Sequence, residues 1–314
     1  MKLDDVSKLL EKAGFPGRDD YTLAPSGKTF PDGCHWRLEI AGVDGAEQLE
    51  LMIQKRKEWG IPVHRIVSFN CGTGLFSDQE IKECVKMAAE DKIEIIATLS
   101  PRPGWDTNRQ YISSEGCCYG GQALHSSDMM RQVLAELIRS YKLGLRGFLV
   151  TDPGLLHVIK TLQKQGDFPS DIVLKAGVGT GVANAAFAKV IEDLGASSIN
   201  PQSDHTLCQL AAIRKVINVP IDFYMWTFMS YGGANRIYDA PEVAKICAPV
   251  YFKFEPAVDY KTTFNGFSPA SAHFDMTEKK IKWAKWVVDH VKENDPGMKL
   301  SEQGPADLHI PVVS

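Results

Sequence analysis

Short apolar runs alternate along this chain with longer amphipathic ones. The runs at 35–43, 65–71, 93–100, 146–151, 171–176, 196–200, 219–226 and 249–255 are bounded by turn residues and predict eight strands. Residues 45–59, 77–92, 127–143, 155–165, 182–194, 204–217, 239–247 and 277–292 carry apolar positions at helical spacing and predict eight helices. Ser77, with Glu80 three residues on, forms a capping box at the start of the second helix. Asp204 is expected to N-cap the sixth. Eight strand–helix units in succession predict parallel pairing and an α/β fold, a single (β/α)8 TIM barrel with long loops at its C-terminal face. An open doubly wound sheet is the alternative if one strand is miscounted. Residues 1–34 hold a short helix and a loop expected to pack on one barrel mouth, 35–294 form the barrel, and 295–314 an irregular tail.

Side chains alternate between the faces of a strand, and the face against the helices must be apolar. That parity turns Arg37, Glu39 and Ala41 inward from the first strand and Ser68 and Asn70 from the second. It turns Val173 and Lys175 inward from the fifth, Asn200 from the sixth, Asp222, Tyr224 and Trp226 from the seventh, and Tyr251, Lys253 and Glu255 from the eighth. A barrel interior is ordinarily filled by Val, Ile and Leu. So many polar groups are costly to bury unless they pair with one another or with a ligand. The first and eighth strands adjoin on closure, so Glu39–Lys253 and Arg37–Glu255 pairs are expected across that seam. Internal salt bridges are one reading, most of all for the deeper Arg37 and Glu39. Lys175, Asn200, Asp222, Lys253 and Glu255 lie nearer the C-terminal strand ends, where active sites of this fold occur.

The loops add candidates. Lys175–Gly181 carries glycines at 177, 179 and 181 at the entry to a helix, a pattern that either binds an anion on backbone amides or makes a tight turn. His205 is either a general base or a first-turn structural residue. The long segment 101–126 contains Arg102, Arg109 and several aromatics, suited to an anionic or planar ligand. Its adjacent Cys117 and Cys118 lack the spacing of a zinc or cluster site. Segment 257–276 is also long and polar, and Gly232-Gly233 supplies another flexible loop.

Composition narrows the class. The 314 residues carry a net charge of −4, which argues against a nucleic-acid or anionic-membrane partner. No run reaches the length of a membrane span, and residues 1–14 lack a signal-peptide core. Seven scattered cysteines, an odd count, fit free thiols in a reducing cytoplasm. A homo-oligomer is a further possibility, by analogy with other barrels.

The segment Gly195-Ala-Ser-Ser-Ile-Asn200, Asp204, Leu210-Ala-Ala-Ile-Arg214 and Val219-Pro-Ile-Asp-Phe-Tyr224, followed by Pro241-Glu242 and Ala248-Pro-Val-Tyr-Phe-Lys253, resembles bacterial barrel proteins of the U32 peptidase family. The resemblance covers the C-terminal half. It implies a TIM barrel and, by the family's label, proteolysis. Other members of that family modify RNA or quinones with a cysteine-ligated iron–sulfur cluster, and this chain departs from them in lacking clustered cysteines. It also has no Gly-x-Ser-x-Gly elbow and no His-Glu-x-x-His helix.

Three functions follow as expectations. The first is a small-molecule enzyme acting on a small anionic substrate, a lyase or aldolase-like reaction using an inward lysine. Lys175, Lys253, Asp222 and Glu255 would be its catalytic residues. Arg37, Glu39, Asn70, Arg102, Arg109, Gly177, Gly179, Asn200, His205 and Tyr224 would be its binding residues. The second is a metal-assisted hydrolase with a divalent ion on Glu39, Asp222, Glu255 and His205. The third is a barrel that binds a metabolite without turnover. No cofactor is assigned with certainty.

Overall fold

The computed structural model describes residues 2–100, 122–227, 233–255 and 270–313. Arg102 and Arg109 lie outside them, as do Trp105, Cys117, Cys118, Gly232 and most of segment 257–276. Eight strands, β1 (Trp36–Ala41), β2 (Arg65–Ser68), β3 (Glu94–Ala97), β4 (Gly147–Val150), β5 (Val173–Ala176), β6 (Ser198–Ile199), β7 (Ile221–Trp226) and β8 (Val250–Phe254), close into a barrel in sequence order. Every neighbouring pair is parallel, and β8 returns to β1. Helix α1 (Leu3–Lys12) precedes the barrel. Then come α2 (Gly45–Glu58), α3 (Asp78–Glu90), α4 (Ser127–Lys142), α5 (Pro153–Gln165), α6 (Ala185–Asp193), α7 (Leu207–Val216), α8 (Ala240–Cys247) and α9 (Ala270–Asn294).

The local signals act largely as the sequence suggests. Ser77 and Glu80 form the expected reciprocal box. The sixth barrel helix differs, because Thr206 rather than Asp204 is its N-cap, in a box with Gln209. Both residues offer a side-chain oxygen, but only Thr206 has its glutamine partner at the third helical position. The closing helix starts earlier than its apolar pattern, at Ala270.

Helix-facing strand residues such as Leu38, Ile40, Ile66, Ile95, Phe148, Leu174, Phe223 and Phe252 join one continuous core with the inner helix faces. Each such side chain contributes about 1.5–3 kcal/mol of hydrophobic stabilisation when fully buried. Inside the barrel Ala41, Val67, Ile96 and Val173 form a small separate cluster, flanked by Leu149. The inward residues of β2 are therefore Arg65 and Val67, not Ser68. The regular alternation stops at Phe69, whose φ is 57°, so parity cannot be carried on to Asn70. Trp226 is a second correction. A bulge between Tyr224 and Trp226 turns it outward, where it stacks on Trp283 of α9 at 4.6 Å.

The N-terminal end of the barrel is covered by segment 298–313. Met298 accepts from the Trp36 indole, Ser301 donates its amide to the Trp36 carbonyl, and Val312 donates to Gly144. Arg37, 1% exposed, is gripped there by Asp307 through two bonds of 2.7 and 2.8 Å, by Ser301 at 3.0 Å and by Asp32 at 3.3 Å. Its guanidinium also lies 3.9 Å over the Phe30 ring. The expected Arg37–Glu255 pair does not form, because the seam sets Arg37 beside Tyr251 and Glu39 beside Lys253. Glu255 stands four residues further along β8, about 13 Å at the strand rise.

Candidate active site

The interior divides into a sealed lower layer and a polar upper one. Glu39 (β1), Arg65 (β2), Lys175 (β5) and Asp222 (β7) meet in the lower layer, none more than 1% exposed. Arg65 donates to Glu39 at 2.5 Å and to Asp222. Lys175 lies 2.9 Å from Glu39 and 2.6 Å from Asp222. Ser198 donates to Asp222 at 2.8 Å. Two cations and two carboxylates thus neutralise one another in a ring, which is what allows four charges to be buried together. Burial still pushes the Lys175 ammonium down to about 8, against the pull of Asp222 and Glu39. Below the ring, Arg65 lies 3.6 Å over the Tyr251 ring. Glu94 lies 3.7 Å from Arg65, its carboxyl held above the usual range by burial.

The upper layer is built by β6, β7 and β8, two residues further along each strand. Lys253 Nζ donates to Asn200 Oδ1 at 3.1 Å and to the Tyr224 hydroxyl at 3.2 Å. It lies 3.8 Å from a Glu255 oxygen and 3.9 Å from Glu39 Oε1. The expected Glu39–Lys253 approach is therefore present. Glu39 Oε1 has no hydrogen-bond partner, whereas Oε2 takes both Arg65 and Lys175. Asn200 is oriented by its amide, which donates to the Asp222 carbonyl at 2.8 Å. Tyr224 hydrogen-bonds Glu255, whose carboxyl burial raises above its ordinary value even with Lys253 beside it. Lys253 and Glu255 retain 5% and 6% exposure, against none for Lys175. The upper lysine is the more accessible of the two.

Other candidates fall elsewhere. Asn70 is buried, its amide N–H bonded to Asp44 at 2.9 Å and its Nδ2 without a partner. The glycine loop is a tight turn with three of its amides already engaged. Gly177 donates to Val150, Thr180 to Gly177 and Gly181 to Val178. A Cβ at Gly179 would lie 2.4 Å from the end of the Gln122 side chain, which would have to shift to admit it. Those three amides are thus not turned to an anion. His205 has Nδ1 2.7 Å from the Gln202 carbonyl of its own loop and Nε2 3.0 Å from that of Ala183 in the loop after β5, so its ring bridges the two neighbouring loops. The metal set of Glu39, Asp222, Glu255 and His205 is not assembled, because two of its carboxylates are held by Arg65 and Lys175. Among the described residues no other group of three His, Cys, Asp or Glu side chains is placed to hold a metal ion.

Three charged residues enter the picture from structure alone. Arg65 and Glu94 open strands in which both faces are apolar: turning Ser68 inward put Arg65 on the opposite face, and Glu94 was given none. Lys280 of α9 is fully buried and donates to the Ala41 carbonyl at 2.5 Å. Burial drives it down to about 7 against the attraction of Glu255 and Asp44. Its signal was present, for it precedes Ala284 by four residues and Val287 by seven on the buried stripe of the helix.

No family model matches the chain, nor does any curated protein. Among solved structures, the U32 peptidase Mk0906 is similar at 15% identity and a TM-score of 0.42, over 69% of this chain and 92% of that one. The YdjI aldolase from Escherichia coli K12 is similar at 14% identity and 0.45, over 84% and 94%. A D-psicose 3-epimerase from Clostridium cellulolyticum H10 is similar at 11% and 0.48, over 82% and 98%. At these identities the likeness concerns the fold. No helix among the described residues is long and apolar enough to cross a membrane.

Proposed function

We propose that the chain is a small-molecule barrel enzyme of the lyase or aldolase-like class, with Lys253 forming a Schiff base on a small anionic carbonyl substrate. The observation that carries this reading is the contact of Lys253 Nζ with the Tyr224 hydroxyl at 3.2 Å beside Glu255 at 3.8 Å, in the upper layer of the interior. The uncharged amine of Lys253 adds to the carbonyl carbon, and the carbinolamine loses its oxygen as water on receiving a proton from the Tyr224–Glu255 pair. The resulting iminium draws the electron pair of the Cα–Cβ bond as that bond breaks, leaving an enamine, and the departing Cβ leaves as an aldehyde because its hydroxyl proton passes to the Tyr224–Glu255 pair, which gave up a proton to the water. Glu39 Oε1, which lacks a partner, is the acceptor for the Lys253 proton. Lys175 and Arg65 hold Glu39 in place from below. Arg102 and Arg109 are assigned to the anionic group of the substrate on the sequence reading. A U32-like hydrolase, the alternative, lacks support from its expected metal set.

The test is sodium borohydride reduction of the protein in the presence of a panel of 2-oxo acids and aldehydes, read by intact mass and peptide mapping. A reduced adduct on Lys253, absent from Lys253→Gln, is expected. No adduct with any compound, or one confined to Lys175, overturns the proposal.

A further inference from the structure

Helix α9 shows solvent an aromatic surface that the barrel does not use. Trp286 is 41% exposed and Tyr238, just before α8, is 77% exposed. Trp286 stacks on His290 with ring centres 4.8 Å apart, and Tyr238 meets both edge-on at 5.2 and 5.6 Å. Exposed Trp and Tyr side chains gathered in this way are typical of the centre of protein interfaces.

The charges around the aromatics indicate the partner. The exposed stripe of α9 that runs through Trp286 contains Lys279 and Lys282 before it and Asp289, His290 and Glu293 after it. One half of the stripe is basic and the other acidic, with the indole between them. Asp289 is held by Lys285 at 2.5 Å. Among the described residues no ion pair involves Lys279, Lys282 or Glu293. An antiparallel match about a two-fold axis at Trp286 sets residues equally distant from it against each other. Lys279, seven before, then faces Glu293, seven after, on both sides of the axis. Lys282, four before, faces His290, with Asp289 adjacent. Trp286 meets its own copy. A surface complementary to itself under a two-fold is what a closed symmetric dimer requires.

We propose that this stripe, with Tyr238 at its flank, is the interface of a homodimer formed by antiparallel contact of two α9 helices. A contact made by one helix face and one aromatic flank lies at the small end of specific interfaces, so the dimer is reversible. The proposal is independent of the chemistry assigned to Lys253.

Sedimentation velocity from low-micromolar to near-millimolar protein tests it. The wild-type chain is expected to pass from monomer to dimer, and Trp286→Ala to shift the midpoint at least tenfold upward. Lys279→Glu and Glu293→Lys each create two like-charge contacts in their own homodimer, so each alone is expected to remain monomeric. Mixed one to one they set Glu at 279 against Lys at 293 at one end and the wild-type Lys279–Glu293 pair at the other, so both ends attract and a heterodimer is expected. The substituted residues are exposed, and circular dichroism verifies that each variant is folded. A wild-type chain that stays monomeric throughout overturns the proposal. So does a dimer indifferent to these substitutions, which would lie on another face, and so does a mixture that sediments as the sum of its parts.

Discussion

Lys175 and Lys253 are both inward lysines flanked by carboxylates, yet their surroundings give them different work. Lys175 has two carboxylates within 3 Å and no exposure, so its charge is consumed in holding the barrel centre together. Replacing it by Met leaves Arg65 as the one cation shared by Glu39 and Asp222, and breaking a buried ion pair from one side costs about 3–5 kcal/mol. Urea unfolding of Lys175→Met is expected to show a loss of that size at pH 7. The loss should grow with alkalinity. In the folded chain Lys175 gives up its proton near 8, while in the unfolded chain it does so near 10.5. Between those values the unfolded chain binds the extra proton, so the stability that Lys175 contributes rises with pH across the window and is level outside it. Unfolding curves of wild type and variant at pH 7 and pH 10 measure the difference. A gap that narrows at the higher pH contradicts the assignment of a lowered Lys175.

Strands were easier to read than the residues that terminate them. Inward faces of β1, β5 and β8 were legible because bulky apolar residues alternate there with polar ones. In β2 and β3 the runs Arg-Ile-Val-Ser and Glu-Ile-Ile-Ala are apolar on both faces, so parity rested in β2 on Ser68 alone and took the wrong phase. That is why Arg65, the cation that ties Glu39 to Asp222, was missed. The Trp226 bulge has no local signal either, since it depends on the partner strand β8. Beyond β2 and β3 one helix residue does much of the joining. Glu136 of α4 accepts from the Thr73 hydroxyl at 2.5 Å, the Gly74 amide at 2.8 Å, the Ser100 amide at 3.0 Å and the Ser100 hydroxyl. One carboxylate therefore pins the exits of two adjacent strands to the helix behind them. Hydrogen bonds to a charged group contribute about 1.5–3 kcal/mol each, and several on one carboxylate are not additive. Glu136→Ala is expected to cost about 3 kcal/mol. Hydrogen exchange should speed up at Gly74 and Ser100 while the middle of β2 and β3 stays protected. Uniform loss of protection across the barrel would show that Glu136 has no such local role.

At the scale of the whole molecule, the two barrel ends are treated differently. The C-terminal end carries the polar upper layer and the long connections, whereas the N-terminal end is covered by the chain's own tail. Composition marked 295–314 as irregular but not as a cover, because its contacts are made by single residues spaced along an extended segment rather than by any periodic pattern. His64 is one of the fasteners. It is fully buried, its Nδ1 accepts from the Leu38 amide at 3.0 Å, and its Nε2 donates to the Ser301 carbonyl at 3.0 Å. That arrangement requires the neutral ring, because a proton on Nδ1 would confront the Leu38 N–H. Burial and the nearby Arg37 charge accordingly lower His64 to about 4 from its ordinary 6.5. Below 6.5 the unfolded chain takes up a proton that the folded chain refuses until about 4. Stability from this residue is therefore complete above 6.5 and is lost as the pH falls through that interval. Thermal unfolding between pH 7 and pH 4 should show a falling midpoint for wild type. His64→Gln should start lower and fall less over the same range, since it cannot titrate. Equal slopes for the two proteins would mean that His64 takes up its proton alike in the folded and unfolded chain, and the tail would then be held at Arg37 and Trp36 without it.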